Sequence, residues 1–318
     1  MTVDLILGTN NVGPHGKIST LKELKDILEL YKSGGNKYLD TAYIYPAPYS
    51  GESETFLGQL DVTSNSFVLD TKVNSFQPGK HTPDNIFKSV AEQFARLKVD
   101  KVRTLYLHAP DRDVPFEKSH WAMNELYKQG KFERLGICNY GPDEILGFVE
   151  RSQRFGWVAP KAVEGLYNIV SRRAETELLP LLRQHDISFY AYSPLASGFF
   201  SNIKRGQAPI KGGHFDPDTF NGRFNQAWYF KPSIFAAVEH LETVASNHNI
   251  STNAIAIRWL RHHSLLRDGD AVLIGYSNIT QLAQNLEFAG QGPLDEEILH
   301  EIEVMWESIG DDAPALAF

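Results

Sequence analysis

The chain has 318 residues, of which 42% are hydrophobic, 12% aromatic and 22% charged, with a formal net charge of -8. Such a composition suits a folded protein with a large core. The acidic balance, with no Lys/Arg run longer than two residues, argues against nucleic acid as a partner. Nor does any segment approach the roughly 20 apolar residues that span a bilayer.

The first residues, Met1-Thr-Val-Asp-Leu-Ile-Leu-Gly8, lack the basic start and long apolar run of a signal peptide. From there, short runs rich in β-branched and aromatic residues recur at Leu5–Gly8, Tyr38–Asp40, Phe67–Lys72, Thr104–His108, Leu135–Cys138, Ala162–Gly165, Ser188–Tyr192 and Ala271–Ile274. These are eight expected strands. Amphipathic stretches lie between them. Thr20–Ser33 opens with the capping box Thr20-Leu-Lys-Glu23, and Thr82-Pro83 pairs a cap with a proline at the first turn. Eight alternating units in this length favour a closed (β/α)8 TIM barrel, with an open doubly wound sheet second. No Gly-x-Gly-x-x-Gly follows the first strand, which disfavours a Rossmann site, and Gly8-Thr-Asn-Asn-Val-Gly13 reads as a strand-ending turn. One region breaks the alternation. Ser197–Lys231, rich in Gly, Pro, Asn and Phe, is expected to be a long loop after strand seven, on the face where barrel active sites sit. An extra helix is expected at Asp295–Ser308, before an acidic tail from Asp311 to Phe318. With no internal repeat or linker, the expectation is a single barrel domain over 1–318. The single cysteine, Cys138, excludes an intrachain disulfide and fits a reducing compartment, the cytoplasm.

Asp40, Tyr45, Lys72 and His108 fall where the second, third and fourth strands meet their loops. The set suits carbonyl reduction, because an oxygen that gains negative charge as hydride arrives needs a proton donor. Tyrosine can serve if a cation lowers its pKa from about 10. Lys72 is the candidate cation, held by Asp40, and His108 the candidate orienting donor. Each residue also has an ordinary explanation: a half-buried loop aromatic for Tyr45, a structural ion pair for Asp40 and Lys72. Their convergence at one barrel mouth favours the chemical reading. No metal is expected, since His262 and His263 are adjacent on a helix and point apart.

These segments resemble the tetrad of the aldo-keto reductases. Tyr106-Leu-His-Ala-Pro-Asp111, Gly165-Leu-Tyr-Asn168, Glu175-Thr-Glu-Leu178 and Asn221-Gly-Arg-Phe224 are similar, in sequence and order, to the aflatoxin aldehyde reductase subfamily. The resemblance implies an NADPH-dependent reduction of aromatic, dicarbonyl or carboxylated aldehydes to alcohols. The alternative is a nicotinamide-nucleotide-binding redox sensor or regulatory subunit with slow turnover.

The resemblance also implies cofactor contacts. Cys138-Asn139 stands where the family commonly has Ser-Asn for the nicotinamide amide, and Glu164 stands where it usually has glutamine. Tyr192 is the expected stacking ring. Ser193, Leu195, Ser197, Gly198 and Lys204 are expected near the pyrophosphate, with Arg205 beside them. Ser277, Gln281 and Asn285 are expected at the adenosine and 2'-phosphate, aided by a helix N-terminus. That last stretch contains no Arg or Lys, so use of NADH stays open. For substrate, Arg223 is the expected carboxylate partner, with Phe76, Phe224, Trp228 and Tyr229 as apolar walls. A homodimer is the implied assembly.

Overall fold

The computed structural model describes residues 3–317, so the first two residues and the last of the expected 1–318 domain lie outside the described residues. Eight parallel strands close into a barrel in chain order: β1 (Asp4–Gly8), β2 (Tyr38–Asp40), β3 (Val68–Val73), β4 (Val102–Leu107), β5 (Phe132–Cys138), β6 (Pro160–Leu166), β7 (Ser188–Tyr192) and β8 (Ala271–Ile274). All eight expected strands are present, with ends shifted by up to three residues.

Period-two alternation sorts each strand's side chains. On β3, Leu69 and Val73 pack outward into the core shared with the helices, while Asp70 and Lys72 turn into the lumen. The lumen is packed by a smaller set that includes Ile6, Tyr106, Cys138, Ala162, Tyr190 and Leu273. Gly136 on β5 makes this possible. A Cβ there would lie 2.2 Å from Cδ1 of the fully buried Tyr106.

The helices follow their signals. Leu21–Ser33 begins with the full capping box: Thr20 Oγ1 accepts from the Glu23 backbone at 3.2 Å, and Glu23 Oε2 accepts from the Thr20 backbone at 3.0 Å. Its buried face is Leu24, Ile27, Leu28 and Tyr31. The Tyr31 hydroxyl lies within hydrogen-bonding reach of the carbonyls of Leu5 at 2.8 Å and Tyr38 at 3.0 Å, tying the helix to β1 and β2. The C-terminal helix runs Glu296–Ile309, with Asp295 at its N-cap.

The connection after β7 differs from the expected structureless loop. It holds short helical turns at Ala196–Gly198 and Phe199–Asn202, and a helix at Phe220–Tyr229 capped by the Thr219 hydroxyl. Aromatic burial holds it down: Phe199 packs against Phe215, Tyr229, Phe230 and Phe235 with ring centroids 5.1–6.2 Å apart. Among the described residues no helix is long and apolar enough to cross a membrane.

Candidate active site

Alternation carries Asp40, Lys72 and His108 to the lumen side where β2, β3 and β4 end. Asp40 is 3% exposed and Lys72 fully buried, and the Lys72 ammonium donates to both Asp40 carboxylate oxygens and, at 3.2 Å, to the Thr41 carbonyl. Tyr45 sits in the loop after β2, with Lys72 Nζ 5.4 Å from its ring centroid. His108 follows β4 and meets Tyr45 edge to face at 5.6 Å and 86°. The four residues read from the sequence thus share one small volume.

Electrostatics fix their resting states. Burial, opposed by Lys72, pushes Asp40 up to about 6. Burial works against the charge on Lys72, but Asp40 and Glu164 outweigh it and hold the ammonium well above its usual range. Burial pushes the Tyr45 phenol well above 10 although Lys72 pulls the other way, so the phenol keeps its proton at neutral pH. Lys72 acts in the expected direction, and dehydration of the phenolate outweighs it. Burial and Lys72 together drive His108 well below 6.5, which makes it a neutral imidazole.

Behind His108 lies a polar cluster that no sequence spacing signalled. Its backbone N–H donates to Ser75 Oγ at 3.1 Å, and Ser75 Oγ is 2.7 Å from His81 Nε2. The His81 backbone N–H donates to Asp111 at 3.0 Å. The only hint was Asp111 inside the Tyr106–Asp111 motif.

Asn139, with φ of 63°, ends β5 in the left-handed region. Its Nδ2 donates to the His108 carbonyl at 2.9 Å, and its Oδ1 accepts from the Tyr192 hydroxyl at 2.8 Å. Glu164 on β6 is 4% exposed and lies 3.3 Å from Lys72 Nζ. Cys138, its register partner on β5, is a buried free thiol. Beyond β7 the backbone runs through positive φ at Ser193, Ala196, Ser197 and Gly198, the kind of turn that forms anion-binding nests. Leu195 lies within this run, and Ser197 Oγ donates to Asn225 of the helix Phe220–Tyr229 at 3.3 Å. The Asn168 amide of the Gly165–Asn168 motif braces the turn by donating to the Ser193 carbonyl at 2.9 Å.

Past β8, the helix Ile279–Gly290 is capped by Asn278. Gln281 Oε1 accepts from the Ser277 backbone at 2.8 Å, and Asn285 Nδ2 donates to the Gly275 carbonyl at 3.0 Å. These three residues therefore come together at one helix start.

Other expected contacts are placed differently. Lys204 is ion-paired with Glu242, and Arg205 with Glu239 at 2.9 Å, so both expected phosphate cations are engaged by the helix Pro232–Asn247. Tyr229 is fully buried and corrects its reading as a pocket wall. Phe76 does meet the site, at 4.8 Å from the His108 ring. Arg223 is exposed and donates to the Pro217 carbonyl at 3.2 Å, while Trp228 packs on Phe224 at 4.2 Å. A groove of about 510 Å³ lined by Phe87, Val90, Phe94 and Leu126 belongs to the outer helices, not to this mouth. Among the described residues no three His, Cys, Asp or Glu side chains are disposed to hold a metal. His262 Nε2 pairs with the Gln291 carbonyl at 2.8 Å, and His263 Nε2 accepts from the Leu294 backbone at 2.8 Å.

A closed parallel barrel with buried polar chemistry at the C-terminal strand ends has the layout of a barrel enzyme. The model of the Aldo/keto reductase family matches residues 4–307, and the chain belongs to that family of NAD(P)-dependent oxidoreductases. It is 35% identical to oxidoreductase sirO of Leptosphaeria maculans over 98% of this chain and 96% of that protein. It is 33% identical to aflatoxin B1 aldehyde reductase member 2 of Mus musculus over 88% of this chain and 79% of that protein. Aldo-keto reductase pigE of Monascus ruber is 31% identical over 94% of this chain and 92% of its own length.

Proposed function

We propose that the chain reduces aldehydes to alcohols with NADPH, Tyr45 supplying the proton. The observation that carries this reading is the Lys72 ammonium, buried on Asp40 beneath Tyr45, with the neutral His108 at right angles to the phenol. Aldehyde reduction by the Mus musculus relative named above agrees with it.

A dinucleotide fits the residues around the mouth. Glu164 Oε2 and His108 Nδ1 are buried without hydrogen bonds among the described residues, which leaves unused polar capacity in the site for a carboxamide and a carbonyl. The left-handed run after β7 and the capped helix after β8 suit phosphate groups. When bound, the reduced nicotinamide supplies the hydride. The chain's own residues do the rest. His108, neutral, donates a hydrogen bond to the carbonyl oxygen and orients it. As negative charge gathers on that oxygen, Tyr45 gives up its proton, and Lys72 stabilises the phenolate left behind. Asp40 holds Lys72 charged and in place.

Preference for NADPH over NADH rests here on neutral donors, Ser277, Gln281 and Asn285, so the proposed selectivity is modest. Arg223 and Phe76 are the proposed substrate contacts. The test is loss of NADPH absorbance with a reactive aromatic aldehyde, with NADH in parallel. Turnover faster with NADPH supports the reading; nucleotide binding without turnover on any aldehyde would replace it with a sensor.

A further inference from the structure

Two carboxylates face a single lysine in the barrel lumen, and the lysine has protons for only one of them. An ammonium donates three hydrogen bonds. Those of Lys72 go to Asp40 Oδ1, Asp40 Oδ2 and the Thr41 carbonyl. Glu164 Oε2 forms an ion pair with Nζ at 3.3 Å, outside good hydrogen-bond geometry, and is buried with no other partner among the described residues. An ionised Glu164 would depend on an ammonium whose protons are directed to Asp40 and Thr41, and the Asp40–Lys72–Glu164 group would carry a net negative charge in a buried lumen.

Among the described residues no other cation faces Glu164 to relieve that charge. Cys138 is its partner on β5 and Tyr190 on β7; Tyr192, Tyr106 and Tyr45 complete its titratable surroundings, all neutral acids that burial makes harder to ionise. Asp70 on β3 adds a further negative group and is itself held by Arg103, whose Nε donates to it at 2.9 Å. β1 and β8 contribute apolar side chains, Ile6 and Leu273.

We propose that Glu164 carries a proton in the working enzyme, and that losing it to solvent is what weakens carbonyl reduction at alkaline pH. Glu164 is a positioning residue that acts on Tyr45 through Lys72. Protonated, its carboxyl has one O–H donor and one carbonyl acceptor, the same pair a carboxamide offers. Ionised, it sets a second negative charge beside Lys72, raises the hold of Tyr45 on its proton and makes the phenol a poorer acid. Burial, followed by the Asp40 charge, pushes Glu164 up to about 8, which puts this loss just above neutrality.

This inference rests on Tyr45 as proton donor, and the test separates the two. The variant is Glu164→Gln, which copies the neutral carboxyl. In the full-length protein with and without bound NADP+, the infrared difference between wild type and variant is expected to contain a protonated-carboxyl band at pH 7 that fades by pH 9. Stability supplies a second readout. A folded-state value raised from 4.5 to about 8 favours folding below pH 4.5, and that contribution is lost as pH rises to about 8, so the melting temperature of the variant should gain on wild type across this window. Turnover of the wild type should fall at least about tenfold beyond the alkaline limb, the equivalent of one pKa unit in the phenol, and the profile of Glu164→Gln, normalised to its own value at pH 7, should lack the limb. No carboxyl band at pH 7, or an unchanged limb in the variant, overturns the proposal. If no carbonyl is reduced at all, the infrared and melting results still decide the protonation of Glu164. If Glu164→Gln does not fold, Glu164→Leu replaces it as the reference for the infrared difference, and the same fading band decides.

Discussion

The Tyr192 hydroxyl donates to Asn139 Oδ1 at 2.8 Å, and Asn139 in turn donates to the His108 carbonyl at 2.9 Å, so one side-chain amide ties the ends of β4, β5 and β7 together. The tie needs the left-handed backbone of Asn139, which asparagine tolerates better than other side chains. Tyr192→Phe keeps the ring and removes one bond, and should cost about 1 kcal/mol in urea unfolding. Nucleotide affinity, read by tyrosine or tryptophan fluorescence, should weaken by less than about tenfold if stacking is the ring's main contribution.

Lys72→Met should do far more damage. It strands Asp40 with no cation and leaves Glu164 beside it, and breaking a buried pair costs about 3–5 kcal/mol. Adding Asp40→Asn should return much of the stability while turnover stays absent. A double variant no more stable than Lys72→Met would mean that the pair does not act as a unit.

His81 is fully buried, and its burial pushes it down to about 4. The folded state therefore favours neutral His81, and stability present above the unfolded value of 6.5 is lost as pH falls through about 4. His81→Gln should flatten that acid loss by about 3 kcal/mol between pH 7 and 4, measured as the wild-type-minus-variant difference in unfolding free energy. Equal slopes for the two proteins would show that His81 titrates normally.

Most of the barrel was legible because a two-residue period and a capping box are local signals. Asp40 and Lys72 were expected where the second and third strands meet their loops, and they lie at the C-terminal ends of β2 and β3. The connection after β7 was illegible for a physical reason. Its helix Phe220–Tyr229 has Gly222 in the first turn, where Thr219 caps it without an acidic partner, and it is held by the distant rings of Phe199 and Phe215. Gly222 is required there, since a Cβ would lie 1.8 Å from the Asp216 carbonyl. Lys204 and Arg205 illustrate the same limit. A loop cation beside a phosphate-like turn reads as a ligand contact, but the acids that engage it, Glu242 and Glu239, are more than thirty residues away. Ser75 and His81 went unread because their partnership with His108 exists only once β3 and β4 pair.

In the proposed reaction Tyr45 hands its proton to the carbonyl oxygen. Tyr45→Phe removes that proton with almost no change of shape. Turnover of a reactive aldehyde should fall by at least about 10²-fold, the usual contribution of a general acid, with NADPH affinity within about threefold of wild type. Near-normal turnover in Tyr45→Phe would contradict the account, because the acid would then have to be another group.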